Sequence, residues 1–128
     1  MPNAYSILIV DDEEEMRDTL ERVLAAAGYR VVTASNGVEV SSILAQVHVD
    51  LVMTDLLMPE KDGTEVIAEL RKKHPNTPIV AMSGGGRMPR GDYLKIARMF
   101  GAHAILEKPF TNEQLLSTIE LLLPPKKR

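Results

Sequence analysis

The chain contains no cysteine. That absence removes disulfides, thiolate metal sites and a cysteine nucleophile together, and it agrees with a reducing compartment. No apolar run approaches the length that spans a bilayer. The first residues, Met1 to Tyr5, lack the basic start and long apolar stretch of a secretory signal, so a cytoplasmic location is expected. Charge of one sign is scarce as well. Fifteen Lys and Arg residues against 18 Asp and Glu leave a formal charge of −3, which gives no electrostatic ground for expecting nucleic acid or an anionic membrane as partner. The three histidines, His48, His74 and His103, share no metal-binding or relay spacing. They read as structural or surface residues.

What is present is enough for a core. A chain of 128 residues with 45% hydrophobic content corresponds to one ordinary domain. The expected unit is 1–128, with a core from about 6 to 123 and a tail or linker start over 124–128. Short apolar, β-prone runs occur at Ile7 to Val10, Val31 to Ala34, Leu51 to Thr54, Ile79 to Met82 and Ala104 to Leu106. Between and after them, apolar residues recur at helical spacing: Met16, Leu20, Val23, Leu24; Val40, Ile43, Leu44, Val47; Val66, Ile67, Leu70; Tyr93, Ile96, Ala97, Phe100; Leu115, Leu116, Ile119, Leu122. Gly28 and Gly101 offer helix stops, and Thr64 and Thr111 offer caps. Strand followed by helix, five times over, predicts an α/β fold with a parallel sheet covered on both faces.

In such a sheet, ligands bind beyond the carboxyl ends of the strands. The first strand runs into Asp11 and Asp12, the third into Asp55, the fourth into Ser83 and the fifth into Glu107 and Lys108. The second runs into the uncharged turn Ser35, Asn36, Gly37. That suits an order 2-1-3-4-5, with the second strand at an edge. Each polar residue has a plain structural reading too. Asp55 among apolar neighbours can simply end a buried strand. Asp12 with Glu15 matches the D-x-x-E spacing of a helix-capping box, Ser83 before three glycines can be a turn residue, and Lys108 before a proline can be a surface lysine. Their joint placement at one end of one sheet favours chemistry.

Crowded carboxylates resist ionising unless a cation joins them. With neither Cys nor His in the set, the ligands are hard oxygens, which select Mg²⁺ or Mn²⁺ over zinc. A carboxylate can also attack phosphorus to give an acyl phosphate. The transferred group then needs its spread negative charge neutralised, for which the cation, Lys108 and the Ser83 hydroxyl are the candidates.

These residues resemble a known family. Asp11 and Asp12, then Asp55 with Met58, Pro59, Asp62 and Gly63, then Ser83 and Gly84, then Gly101 and Ala102, then Lys108, Pro109 and Phe110 look like the receiver domain of two-component response regulators, over about Ser6 to Leu123. The resemblance implies a flavodoxin-like, doubly wound five-stranded sheet with five helices. It implies that Asp55 accepts a phosphoryl group from a phosphohistidine on a histidine kinase or phosphotransfer protein. Asp11, Asp12, Asp55 and the backbone carbonyl of Leu57 would hold Mg²⁺, Lys108 would contact the phosphoryl group, and the bond before Pro109 would be cis. Ser83 would follow the phosphoryl group inward and bias the surface of the fourth helix, fifth strand and fifth helix, toward a downstream effector or a homodimer. The domain would be a phosphoacceptor that assists its own phosphorylation and dephosphorylation, not an enzyme in the usual sense.

Two features depart from the family pattern. The switch position three residues before the lysine, usually aromatic, is Ile105. The stretch 84–91 is long and glycine-rich; it reads as a flexible insertion, or alternatively as a lid carrying Arg87 and Arg90. Two other functions compete. A receiver fold can serve as a phosphorylation-independent binding module. A phosphatase of the haloacid-dehalogenase kind also uses an Asp nucleophile, but it needs an acid two residues later, where this chain has Leu57.

Overall fold

Each apolar run becomes a strand because both of its faces find cover. In the computed structural model, which describes residues 5–56, 63–84, 95, 98–99 and 101–124, the strands are β1 (Ser6–Val10), β2 (Arg30–Ala34), β3 (Leu51–Asp55), β4 (Ile79–Ser83) and β5 (Ala104–Glu107). They form one parallel sheet in the order β2-β1-β3-β4-β5. Helices α1 (Glu14–Ala26), α2 (Val38–Gln46) and α3 (Gly63–Lys73) and a last helix, Asn112–Leu122, are delimited among the described residues. The fourth of the five expected helices is represented there only by Lys95, Arg98 and Met99, which are helical. Residues 57–62 and 85–91, including Leu57 and most of the glycine-rich stretch, lie outside the described residues.

Period-two alternation sorts the core into two layers. Leu8, Val10, Val52, Ile79 and Ala81 pack with Val40 of α2 and Val66, Ile67 and Leu70 of α3. Their neighbours Ile7, Ile9, Leu51, Met53, Val80 and Met82 pack on the other face with Leu20 and Leu24 of α1 and Leu115 and Ile119 of the last helix. At roughly 25 cal/mol per Å² of apolar surface removed from water, these two layers are the main source of stability.

The helix ends follow local chemistry, with two differences from expectation. Thr111 caps the last helix as expected: its hydroxyl accepts from the Gln114 N–H at 3.0 Å, and the Gln114 side chain accepts from the Thr111 N–H at 2.9 Å. Gly28, at φ +97° just after α1, takes a left-handed conformation that a side chain would strain. By contrast, Asp12 and Glu15 form no capping box. The N-cap of α1 is Glu13, and its side chain makes no cap bond. It is the Asp11 side chain that turns back to take the Glu13 N–H, at 2.9 Å. Likewise α3 begins at Gly63, so Thr64 stands inside the helix rather than before it.

His103 has a definite structural task. Its Nδ1 accepts from the Ile79 N–H at 3.0 Å, and the His103 backbone N–H donates to the Ile79 carbonyl at 2.8 Å. Burial, then the nearby Arg71 guanidinium, lower its pKa, and protonation of Nδ1 would remove the acceptor. A lowered folded-state pKa contributes stability that is present above the unfolded value, about 6.5, and is lost as pH falls below it. Urea unfolding at pH 7 and pH 5 should therefore show the native protein losing a fraction of a kcal/mol, since an exposed imidazole is well screened. His103→Asn keeps an acceptor without the titration and should lose less. An identical pH dependence in the two proteins would remove His103 as the cause.

Candidate functional site

The site forms where β1 and β3 leave the sheet together. Val10 pairs with Thr54, so the next residues, Asp11 and Asp55, emerge side by side. Asp55 in turn pairs with Met82, and Ser83 with Glu107. The Lys108 N–H donates to the Ser83 carbonyl at 2.6 Å, which carries the end of β5 past the end of β4. Gly84 makes room for that passage, because a Cβ there would lie 2.7 Å from the Lys108 Cβ. The Lys108–Pro109 peptide is cis.

Lys108 reaches back across the strand ends. Its Nζ lies 3.1 Å from Oδ2 of Asp11 and 3.1 Å from Oδ2 of Asp55, and 3.9 Å from Oε1 of Glu13. Asp11 is fully buried and Asp55 nearly so. Burial pushes the Lys108 pKa down, but the Asp55 and Asp11 charges and their hydrogen bonds outweigh it, so the net shift is upward and the group stays an ammonium. One oxygen from each of Asp11, Asp12 and Asp55 lies within 4.8 Å of the others. Among the described residues, three carboxylates face one ammonium here. Their spacing and all-oxygen character fit a small, hard divalent cation.

Asp11, Asp12, Asp55 and Lys108 are thus brought together. Ser83 is buried at the end of β4, but among the described residues no hydrogen bond joins its hydroxyl to that set. Ile105 is half-buried and packs toward the α2 and α3 layer. Thr54 and Arg17 left no mark in the sequence as contributors to the site, and Gly63 stood there only as part of the family motif. The Thr54 hydroxyl donates to the Asp55 carbonyl at 3.0 Å. The Arg17 guanidinium donates to the Asp11 carbonyl at 2.7 Å. Gly63 lies against the backbone of Asp55 and Leu56 so closely that a Cβ would meet the Asp55 carbonyl oxygen at 2.0 Å.

A family model described as the response regulator receiver domain matches residues 7–120. The chain belongs to that family. It is 36% identical over 118 residues to the response regulator MprA of Mycobacterium sp. strain KMS, a match covering 91% of this chain and 50% of that protein. It is 36% identical over 125 residues to the sensor kinase CckA of Brucella abortus, covering 96% of this chain and 13% of that one. The chain therefore spans half or less of the length of these two relatives. Among solved structures it resembles the chemotaxis response regulator CheY4 of Vibrio cholerae, with a TM-score of 0.83 and 29% identity over 93% of this chain and 98% of that one. The five-stranded order and the acidic pocket are those of a receiver domain of two-component response regulators, and receiver domains are phosphoacceptors. Among the described residues no helix is long and apolar enough to cross a membrane.

Proposed function

We propose that Asp55 is the phosphoacceptor of this receiver domain and that a phosphohistidine on a histidine kinase or phosphotransfer protein is its donor. The observation that carries this reading is the Lys108 ammonium, 3.1 Å from carboxylate oxygens of both Asp55 and Asp11 at the mouth of the sheet. An Asp55 oxygen attacks phosphorus, the P–N bond breaks as the P–O bond forms, and the imidazole leaves with the electron pair. Lys108 is already drawn to Asp55 and follows the new negative charge onto a phosphoryl oxygen. Asp11, Asp12, Asp55 and the Leu57 carbonyl would hold Mg²⁺ or Mn²⁺, which when bound neutralises phosphoryl charge. Ser83 ends the strand beside Asp55 and is the hydroxyl that turns toward the product. The domain thereby promotes its own phosphorylation and dephosphorylation without being a turnover enzyme.

The readout surface in this reading lies beside β5. A groove of about 840 Å³ there is lined by Arg98, Ile105, Glu107, Gln114 and Thr118 among others. With Ile105 rather than a large aromatic at the switch position, a smaller side chain passes the signal from Ser83 to that groove and to an effector or a second copy.

Incubation with Mg²⁺ and acetyl phosphate, followed by intact-mass measurement, tests the central claim. The native protein should gain one phosphoryl group, and Asp55→Asn, or the native protein in EDTA, should gain none. A gain that persists in Asp55→Asn would move the acceptor elsewhere. No gain in the native protein with this donor or a phosphohistidine donor would leave a phosphorylation-independent binding module.

A further inference from the structure

The peptide plane between Asp11 and Asp12 is held from outside the carboxylate set. The Asp11 N–H donates to the Ala34 carbonyl at 3.1 Å, continuing the sheet, and its Oδ1 takes the Glu13 N–H at 2.9 Å, forming the turn into α1. Its carbonyl oxygen takes a third bond, at 2.7 Å, from Nη1 of Arg17. A hydrogen bond with an ionised donor is about twice as strong as a neutral one. Arg17 is itself fixed by α1, where its N–H donates to the Glu13 carbonyl at 3.1 Å.

That carbonyl belongs to the same amide as the Asp12 N–H. Holding its plane constrains ψ of Asp11 and φ of Asp12, and so the direction in which the Asp12 side chain leaves the backbone. Asp11 and Asp55 are oriented directly by Lys108. Asp12 is exposed and has no hydrogen bond or ion pair among the described residues, yet its carboxylate stands within 4.8 Å of the other two. Its aim must come through the backbone.

We propose that Arg17 is a positioning residue for the cation site: by gripping the Asp11 carbonyl it holds the Asp12 carboxylate toward the ion. This rests on the reading that Asp11, Asp12 and Asp55 hold a divalent cation. Charge alone predicts the opposite sign. A guanidinium close to the site repels a cation, so its removal would tighten binding. Orientation predicts that its removal weakens binding, and residues that orient metal ligands typically contribute 10–100-fold in affinity.

Calorimetric titration of Mn²⁺ separates the two, using the native protein, Arg17→Ala, Arg17→Lys, Asp12→Asn and the Arg17→Ala/Asp12→Asn double variant. Arg17→Ala should bind about tenfold more weakly. Arg17→Lys can still donate to the carbonyl and should recover part of the loss. The double variant should bind no more weakly than Asp12→Asn alone, because Arg17 acts through Asp12. Unchanged or tighter binding by Arg17→Ala overturns the proposal, as does full additivity in the double variant. If Arg17→Ala loses its fold by circular dichroism, Arg17→Met keeps the length without charge or donor and is read by the same two outcomes. A native protein that binds no Mn²⁺ overturns the cation reading itself and this proposal with it. Native binding that Arg17→Ala leaves unchanged overturns this proposal alone.

Discussion

Replacing Lys108 with methionine should destabilise the cation-free protein by about 2 kcal/mol and at the same time tighten its hold on Mg²⁺. The ammonium lies 3.1 Å from oxygens of both Asp11 and Asp55, whose side chains are 0% and 10% exposed. Removing one member of a buried ion pair costs about 3–5 kcal/mol, because the partner charge is left without compensation. The Lys108 side chain keeps 20% of its exposure, so solvent screens part of that loss and the estimate falls to about 2 kcal/mol. The second effect has the opposite sign because a bound cation and the ammonium compete for the same oxygens. Without the ammonium, Mg²⁺ should bind about tenfold more tightly, equivalent to about 1.4 kcal/mol. Urea unfolding in EDTA and calorimetric Mg²⁺ titration read the two effects separately. Weaker Mg²⁺ binding in the variant would mean that Lys108 helps to assemble the carboxylates rather than competing for them. The pH dependence adds a third check. A raised lysine pKa contributes stability that is fully present below the unfolded value, about 10.4, and is lost as pH rises through the folded value. The stability gap between native protein and variant should therefore narrow only above roughly pH 10.4.

How much of this could be read in advance depended on whether the cause was local in the chain. The strands were legible because a parallel strand buried on both faces must be apolar throughout, as Ile7 to Val10 and Leu51 to Met53 are. The polar residues that end those runs were legible because a run has to stop where the sheet does: Asp11, Asp55 and Ser83 follow directly, and Lys108 follows after Glu107. Thr111 was readable as a cap because its partner, Gln114, is three residues away. The same kind of spacing misled at Asp12 and Glu15. Helix α1 begins one residue later than that pattern assumes, with Glu13 as its N-cap, and Asp11 supplies the turn. Arg17 had no signature, since its partner is a backbone carbonyl and no residue type marks that. Lys108 stood out as a phosphoryl contact, but its present partners are two carboxylates, a pairing that only the three-dimensional convergence of β1, β3 and β5 reveals.

Gly63→Ala should damage the site more than any other single added methyl group at a described glycine. In the sequence Gly63 stands beside Asp62 in the family motif, but the reason for glycine is steric and long-range. A Cβ would stand 2.0 Å from the Asp55 carbonyl oxygen, 2.6 Å from the Leu56 Cα and 2.8 Å from the Asp55 carbonyl carbon. All three are backbone atoms, so no side chain can swing aside. Either α3 moves, breaking the Gly63 N–H bond to the Leu56 carbonyl at 3.0 Å, or the end of β3 moves and takes Asp55 with it. Overpacking typically costs about 1–3 kcal/mol, and a rigid backbone clash falls at the upper end, about 3 kcal/mol. Gly28→Ala is the matched control. It is strained through its φ of +97°, by about 1–2 kcal/mol, but it lies at the far end of α1 from the acidic cluster. Both variants should unfold at lower urea than the native protein. Only Gly63→Ala should also lose phosphorylation by acetyl phosphate under conditions where it remains folded, with a rate down by about tenfold or more, as misplacement of a reacting group by an ångström produces. Equal phosphorylation of the two variants would show that the clash is absorbed by α3, and that the end of β3 holds Asp55 in place without help from Gly63.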